Sequence, residues 1–315
     1  MHRFKNLLLL HDTSPEHELV LKRTVDLARR NQARLTVIDV IEEDSWDAGE
    51  IYNLAPFQEI KQLVIKERQE ELETAIEPVR QQGLDVRAKL LFGKPFLEII
   101  RQVLRENHDL VIKAAQGEGG LQGMLFGSTA MHLMRKCPCP VWVVKKGGSE
   151  RYNRIIAALD PDPSDGQRNK LSAKIMDLAT SLATLEQSEL LVVHAWSLYG
   201  ETILRGGGGR MEKGELDRLV GEAEATHKSG LNDLLQKYDL QGLNYQVHFV
   251  KGEAGKVIPE LAGKKAADLI VMGTLSRSGV AGFLIGNNAE KILHKVDCSV
   301  LTVKPDGFVT PVKVS

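Results

Sequence analysis

Cysteine is scarce in this chain: three residues in 315, at Cys137, Cys139 and Cys298. An odd count, with two of the three separated by a single proline, does not point to the disulfide framework of a small secreted domain, and reduced thiols near strand starts are expected. No long apolar run is present. The N-terminal Leu7-Leu8-Leu9-Leu10 is too short for a signal or membrane segment and is closed by His11-Asp12, so a cytoplasmic location without membrane association is expected. An excess of positive charge is missing as well. Lys and Arg number 41 against 42 Asp and Glu, for a net charge of −1, and they are interspersed. General nucleic-acid binding, which needs a positive surface, is therefore not expected.

What the chain does have is enough apolar residue, 43%, and enough length for two moderate domains. Phe4 to His11 reads as a buried strand. Asp12-Thr13-Ser14-Pro15 follows as a capped helix start running to about Arg30, and Leu35 to Ile41 is a second strand. After a polar connection, a charged helix is predicted from about Gln58 to Gln82, with Leu63, Leu72, Ala75, Ile76 and Val79 on one face. Val86 to Phe92, Asp109 to Ile112 and Val141 to Val144 are further strands, with helices beginning at Gly93-Lys94-Pro95 and at Gly127-Ser128-Thr129. Alternating strands and helices imply a parallel sheet covered on both faces.

After a short glycine-bearing linker the same order returns. Asn153 to Leu159 matches the first strand, Leu190 to Ala195 the second, and Val247 to Lys251 leads into Gly252 as the third strand leads into Gly93. Gly206 to Gly209 interrupts the long connection. Asp109-Leu110-Val111-Ile112 pairs with Asp268-Leu269-Ile270-Val271, Gly127 with Gly286, and Cys139-Pro140-Val141 with Cys298-Ser299-Val300, always at a spacing of 159. A constant spacing across strand, loop, helix and strand marks an internal duplication.

The stretch from Asp268 to Lys295 is a strand ending at Gly273, a Ser/Gly loop, and a helix opening at Gly286-Asn287. Unpaired N–H groups at a helix start and small residues beside it make an anion cradle; the alternative is that Gly273 and Gly286 only permit tight turns. With Asp160 after its first strand, Gly273-x-x-Ser276, nine residues, then Gly286-Asn287, and a closing Cys298-Ser-Val-Leu-Thr-Val, the chain resembles the tandem universal stress proteins over nearly its whole length. The ATP-binding branch of that family carries Gly, two residues, Gly, nine residues, Gly, then Ser, Thr or Asn. Each half here departs once: Ser276 replaces the second glycine in one, and Ala114 the first glycine in the other.

The resemblance implies two flavodoxin-like, five-stranded, doubly wound parallel α/β domains in tandem, spanning residues 1–147 and 151–308 with a tail at 309–315. Single-domain relatives dimerise through the edge strand that carries Trp142 and Val143 here, so an intramolecular pseudo-dimer is expected. It further implies an adenine-nucleotide site, for ATP, ADP or AMP with or without Mg²⁺. In the second half, Asp160 would meet the sugar and base, the main chain of Ala195 the adenine, Gly273, Ser276 and Arg277 the phosphates, and Gly286 and Asn287 would donate at the helix start. The first-half counterparts are Asp12, Val40, Gly117, Gly127 and Ser128. Because a Cβ at Ala114 narrows the approach whereas the Ser276 hydroxyl can donate, the second half is expected to be the better site.

Other constellations carry less. Asp160, Asp162 and Asp165 in one turn present carboxylates to Mg²⁺, or cap a helix through Ser164 or Asp165. His132 with Cys137 and Cys139 lacks zinc spacing, and His11 and His194 lack a nucleophile partner. A regulatory nucleotide binder is therefore expected rather than an enzyme. The alternatives are an interaction scaffold with degenerate sites, engaging protein partners the sequence does not name, and a slow ATPase.

Overall fold

A computed structural model describes residues 4–12, 17–42, 55–115, 126–145, 151–205, 213–274 and 285–314. The chain divides into two compact units, one formed by Met1–Glu150 with Val309–Ser315, the other lying within Arg151–Phe308. The C-terminal residues thus group with the first unit, where the Arg101 guanidinium donates to the Lys313 carbonyl at 3.3 Å.

The first unit runs β1 (Asn6–Leu10), α1 (His17–Asn31), β2 (Arg34–Ile41), α2 (Ala55–Gln81), β3 (Val86–Phe92), α3 (Pro95–Glu106), β4 (Leu110–Ala114), α4 (Ser128–Lys136) and β5 (Val141–Val144). Its strands are ordered β3-β2-β1-β4-β5 and pair in parallel throughout. The second unit runs β6 (Arg154–Leu159), α5 (Gly166–Glu186), β7 (Glu189–Trp196), α6 (Glu201–Arg205), α7 (Lys213–Leu235), β8 (Tyr245–Lys251), α8 (Ala254–Lys264), β9 (Leu269–Gly273), α9 (Asn287–Leu293) and β10 (Ser299–Val303). Its order, β8-β7-β6-β9-β10, repeats the first, again in parallel.

This is the doubly wound arrangement expected. The central strands read as continuous apolar runs because both faces are covered: Leu7, Leu8 and Leu9 in one unit and Ile155, Ile156 and Ala157 in the other have no exposed surface. The outer strands β3 and β8 are half-exposed. Both lead into their helix through a glycine at positive φ, Gly93 at 127° and Gly252 at 149°. Side chains rarely adopt that conformation, which explains why glycine recurs there at the 159-residue spacing.

One local expectation changes. Leu63 does not join the buried face of α2: it is 66% exposed, and Ile60 beside it 50%, whereas Leu72, Ile76 and Val79 are buried. Only the C-terminal half of that long helix therefore uses its apolar stripe. The final helix starts at Asn287 with Gly286 as its N-cap, where the Gly286-Asn287 pair places it. The start predicted at Thr13 to Pro15 and the glycine run 206–209 lie outside the described residues.

Candidate functional site

In each unit, register brings the described candidate residues to the carboxyl edge of the sheet. In the second, Leu159 on β6 lies beside His194 on β7, and Ala158 lies beside Met272 on β9. Asp160 and Ala195, and Gly273 at the end of β9, therefore emerge from three neighbouring strands at one level. The Gly286 N–H donates to the Thr274 carbonyl at 2.8 Å, tying the start of α9 to the end of β9. Gly286 is the N-cap of α9, in extended conformation and without a side-chain cap; Asn287 is exposed. Ser276 and Arg277 lie outside the described residues.

Asp160 does not stand alone. Its side chain is 64% exposed and meets Arg168 of α5 at 2.5 Å; the same guanidinium holds Asp162 at 2.5 Å and is itself only 14% exposed. Asp162 also accepts from the Ser164 N–H at 2.9 Å and hydroxyl at 2.7 Å, bonds that hold its carboxyl below the usual range, with Arg168 adding to the effect. Asp165 is the N-cap of α5 and accepts from the Gln167 and Arg168 N–H groups. The acidic turn thus serves as a helix start braced by Arg168. No group of three His, Cys, Asp or Glu placed to hold a metal occurs among the described residues.

Gly273 has a packing role that its sequence position does not announce. A Cβ there would sit 2.8 Å from Leu171 Cδ2, so the glycine lets α5 lie close over the end of β9.

Beneath Ala195, His194 is fully buried. Its Nδ1 lies 3.0 Å from the Leu159 carbonyl and its Nε2 3.0 Å from His227 Nδ1 on α7. A carbonyl only accepts, so Nδ1 of His194 carries the hydrogen. In the neutral ring, Nε2 then accepts from His227 Nδ1–H, which leaves His227 Nε2 as the acceptor end of the chain. Burial lowers both imidazole pKa values, keeping the pair neutral. His194 is thus a structural histidine with both ring nitrogens satisfied. Trp196 stacks on Phe249 next to it, with centroids 5.7 Å apart and planes at 19°.

The first unit reproduces the frame with different contents. The Gly127 N–H donates to the Ala115 carbonyl at 3.2 Å, the counterpart of the Gly286 bond, and Gly127 caps α4 without a side-chain bond. Among the described residues, the atom that a Cβ on Gly127 would meet is the Ala115 oxygen, at 4.0 Å. The Val40 N–H donates to its neighbour Asp39 at 2.8 Å, and Asp39 is paired with Arg68 at 2.7 Å. His11 Nδ1 and His17 Nε2 lie 2.8 Å apart. Lys113, where the second unit has Met272, is buried and donates to the Ala114 carbonyl. Burial brings its pKa down to about 8, against the pull of Asp12. Gly117 lies outside the described residues.

Arg168, His227 and Lys113 were not found by sequence reasoning. Only Lys113 leaves a trace there, as a charge inside an apolar strand where the duplicate has methionine.

A model described as the universal stress protein family matches residues 3–145 and again 151–304. Universal stress protein E of Escherichia coli K12 is 28% identical over 318 residues, covering 100% of this chain and 98% of the relative. Among solved structures, one from Pseudomonas aeruginosa UCBPP-PA14 aligns with a TM-score of 0.73 at 23% identity, covering 98% of this chain and 95% of that one. A universal stress protein from Archaeoglobus fulgidus DSM 4304 aligns with a TM-score of 0.60 at 18% identity, covering 96% and 99%.

Proposed function

The chain belongs to the universal stress protein family, and from there we propose that its second unit binds an adenine nucleotide, ATP or its ADP or AMP relatives, as a regulatory signal in a stress response. The observation that carries the reading is the convergence, at the carboxyl edge of one sheet, of exposed Asp160, the Ala195 main chain and a helix start at Gly286-Asn287 without a side-chain cap. In open parallel sheets that edge is where ligands bind. The ribose meets Asp160, adenine the β7 main chain, and the phosphates Gly286 and Asn287 together with Ser276 and Arg277. Asp162 and Asp165 are committed to Arg168, Ser164 and the start of α5, so Mg²⁺ arrives on the phosphates rather than on a carboxylate cage. Asp12, Val40, Gly117, Gly127 and Ser128 are the first unit's counterparts, where Ala114 replaces the first glycine and leaves a degenerate site that adds no second binding event.

Asn287→Asp is the discriminating variant. A carboxylate in the first turn suits the helix dipole and preserves the fold, but it repels phosphate. ATP affinity falls at least tenfold while AMP, with less charge to repel, loses less; unchanged ATP affinity in a folded variant overturns the site assignment. One observation favours the scaffold alternative: Asp160 already holds Arg168 at 2.5 Å. Under that reading wild-type protein shows no nucleotide binding, and Arg168→Ala does not create it.

A further inference from the structure

Two thiols of the first unit lie away from the candidate site, at the opposite end of the sheet. Helix α4 ends at Lys136, Cys137 is its C-cap, and its N–H donates to the Leu133 carbonyl at 2.8 Å. Pro138, Cys139 and Pro140 lead directly into β5 at Val141. Each proline fixes its own φ, so the short link between the two elements has few ways to turn. The result is a Cys137 Sγ to Cys139 Sγ distance of 3.5 Å. Cys137 is sealed, with no exposed surface, and Cys139 is half-buried.

This arrangement belongs to the first unit alone. At the 159-residue spacing Cys298 matches Cys139, but Val296 stands where Cys137 would be. Zinc does not account for the pair, since no third ligand joins it among the described residues.

We propose that Cys137 and Cys139 form a reversible dithiol–disulfide couple, a modification site of the first unit that a low-molecular-weight disulfide oxidises. Cys139, the less buried residue of the pair, reacts first. Cys139 gives up its proton and attacks one sulfur of the reagent R–S–S–R; the Cys139–S–R bond forms, the reagent's S–S bond breaks, and RS⁻ leaves. Cys137, deprotonated in turn, attacks the Cys139 sulfur, the internal bond closes, and a second RS⁻ leaves. Each departing thiolate takes up one of the protons released. Two protein thiols are oxidised and one reagent disulfide is reduced to two thiols. Closing the bond shortens the sulfur separation by about 1.5 Å to the ordinary S–S length, within the reach of two χ1 rotations.

The hydrogen bond to Cys137, burial and the carboxylate of Asp109 all raise the Cys139 thiol pKa. This bears on rate and on poise. Few thiolates exist at neutral pH, so exchange is slow and speeds up with pH. A basic thiol also gives a more stable disulfide than an acidic one, since the strongly oxidising couples are those whose reduced form is stabilised.

The test uses the full-length native protein equilibrated with oxidised and reduced glutathione, quenched with acid, and read by intact mass and peptide mapping. The expected product is a Cys137–Cys139 bond, lighter by two hydrogens and free of glutathione, with the same yield in Cys298→Ser. In Cys137→Ser the intermediate is trapped, and glutathione on Cys139 rises at least tenfold over wild type. Stable glutathionylation of Cys139 in the wild type, without the internal bond, overturns the proposal. So does an internal bond that appears only in denaturant, which would show that the folded geometry does not bring the sulfurs together.

Discussion

Asp109 and Asp268, 159 residues apart, fasten the first strand of their own unit in the same way. Asp109 accepts from the main-chain N–H groups of Lys5 at 2.6 Å and Asn6 at 3.1 Å, and Asp268 from those of Asn153 at 2.6 Å and Arg154 at 2.9 Å. Each aspartate's own N–H returns the bond, to the carbonyl of Asn6 or Arg154. A residue just before β4 or β9 thereby fixes where β1 or β6 begins. Burial raises the Asp109 carboxyl pKa although its backbone donors and Lys5 pull it down.

Asp268→Ala is expected to destabilise the second unit by about 2 kcal/mol, the scale of bonds to a charged acceptor whose donors are left unpaired. Asp109→Ala does the same to the first. Hydrogen exchange resolved along the chain checks this: protection drops in the unit carrying the change, and an equal drop in both units contradicts it.

Lys113 makes the stability of the first unit rise in alkali. Its folded pKa is about 8 against about 10.4 in the unfolded chain, so between those values the unfolded state binds a proton that the folded state does not. The rise is about 3 kcal/mol across that window. Lys113→Met, which installs the residue of the duplicate, is expected to stabilise the first unit at neutral pH and abolish the rise. Urea titrations from pH 7 to 10.5 decide it, and an unchanged pH profile in the variant would show that the amine is not desolvated.

His17 acts in acid. Burial and the adjacent His11 lower its pKa to about 4, against Asp12, so from pH 6.5 down to about 4 the unfolded chain takes up a proton the folded unit refuses. Stability of the first unit falls through that range. His17→Phe retains an aromatic ring against His11, which it meets edge-on at 4.0 Å, and should flatten the decline. A slope identical to wild type in urea titrations counts against the buried neutral pair.

Gly273→Ala pushes on Leu171, whose Cδ2 a Cβ would approach to 2.8 Å. The expected cost is about 1 kcal/mol, because the atom that must yield is the end of a mobile side chain. Pairing it with Leu171→Ala makes the two effects non-additive; strict additivity in a double-mutant cycle would remove the contact from the account. Loss of nucleotide binding in a bulky Gly273 variant therefore has a packing component, which Asn287→Asp avoids.

The duplication was readable because buried parallel strands keep an apolar composition wherever they occur, and because Gly93 with Gly252 and Asp109 with Asp268 meet the same backbone demands twice. Asp165 as a helix cap was readable from local chemistry. Arg168, which braces Asp160, and His227, which completes a chain begun 33 residues earlier at His194, depend on how helices lie over strands, and nothing local marks them. Leu63 shows the converse. Its helical spacing matches a buried stripe, yet it is exposed while Leu72, Ile76 and Val79 farther along α2 are buried.

The central claim, one adenine-nucleotide site in the second unit, is tested most directly by calorimetric titration of the intact protein with ATP and Mg²⁺, repeated with Asn287→Asp. One site per chain is expected in the wild type, and at least tenfold weaker binding in the variant. No binding by the wild type, or one site that the variant leaves untouched, contradicts it.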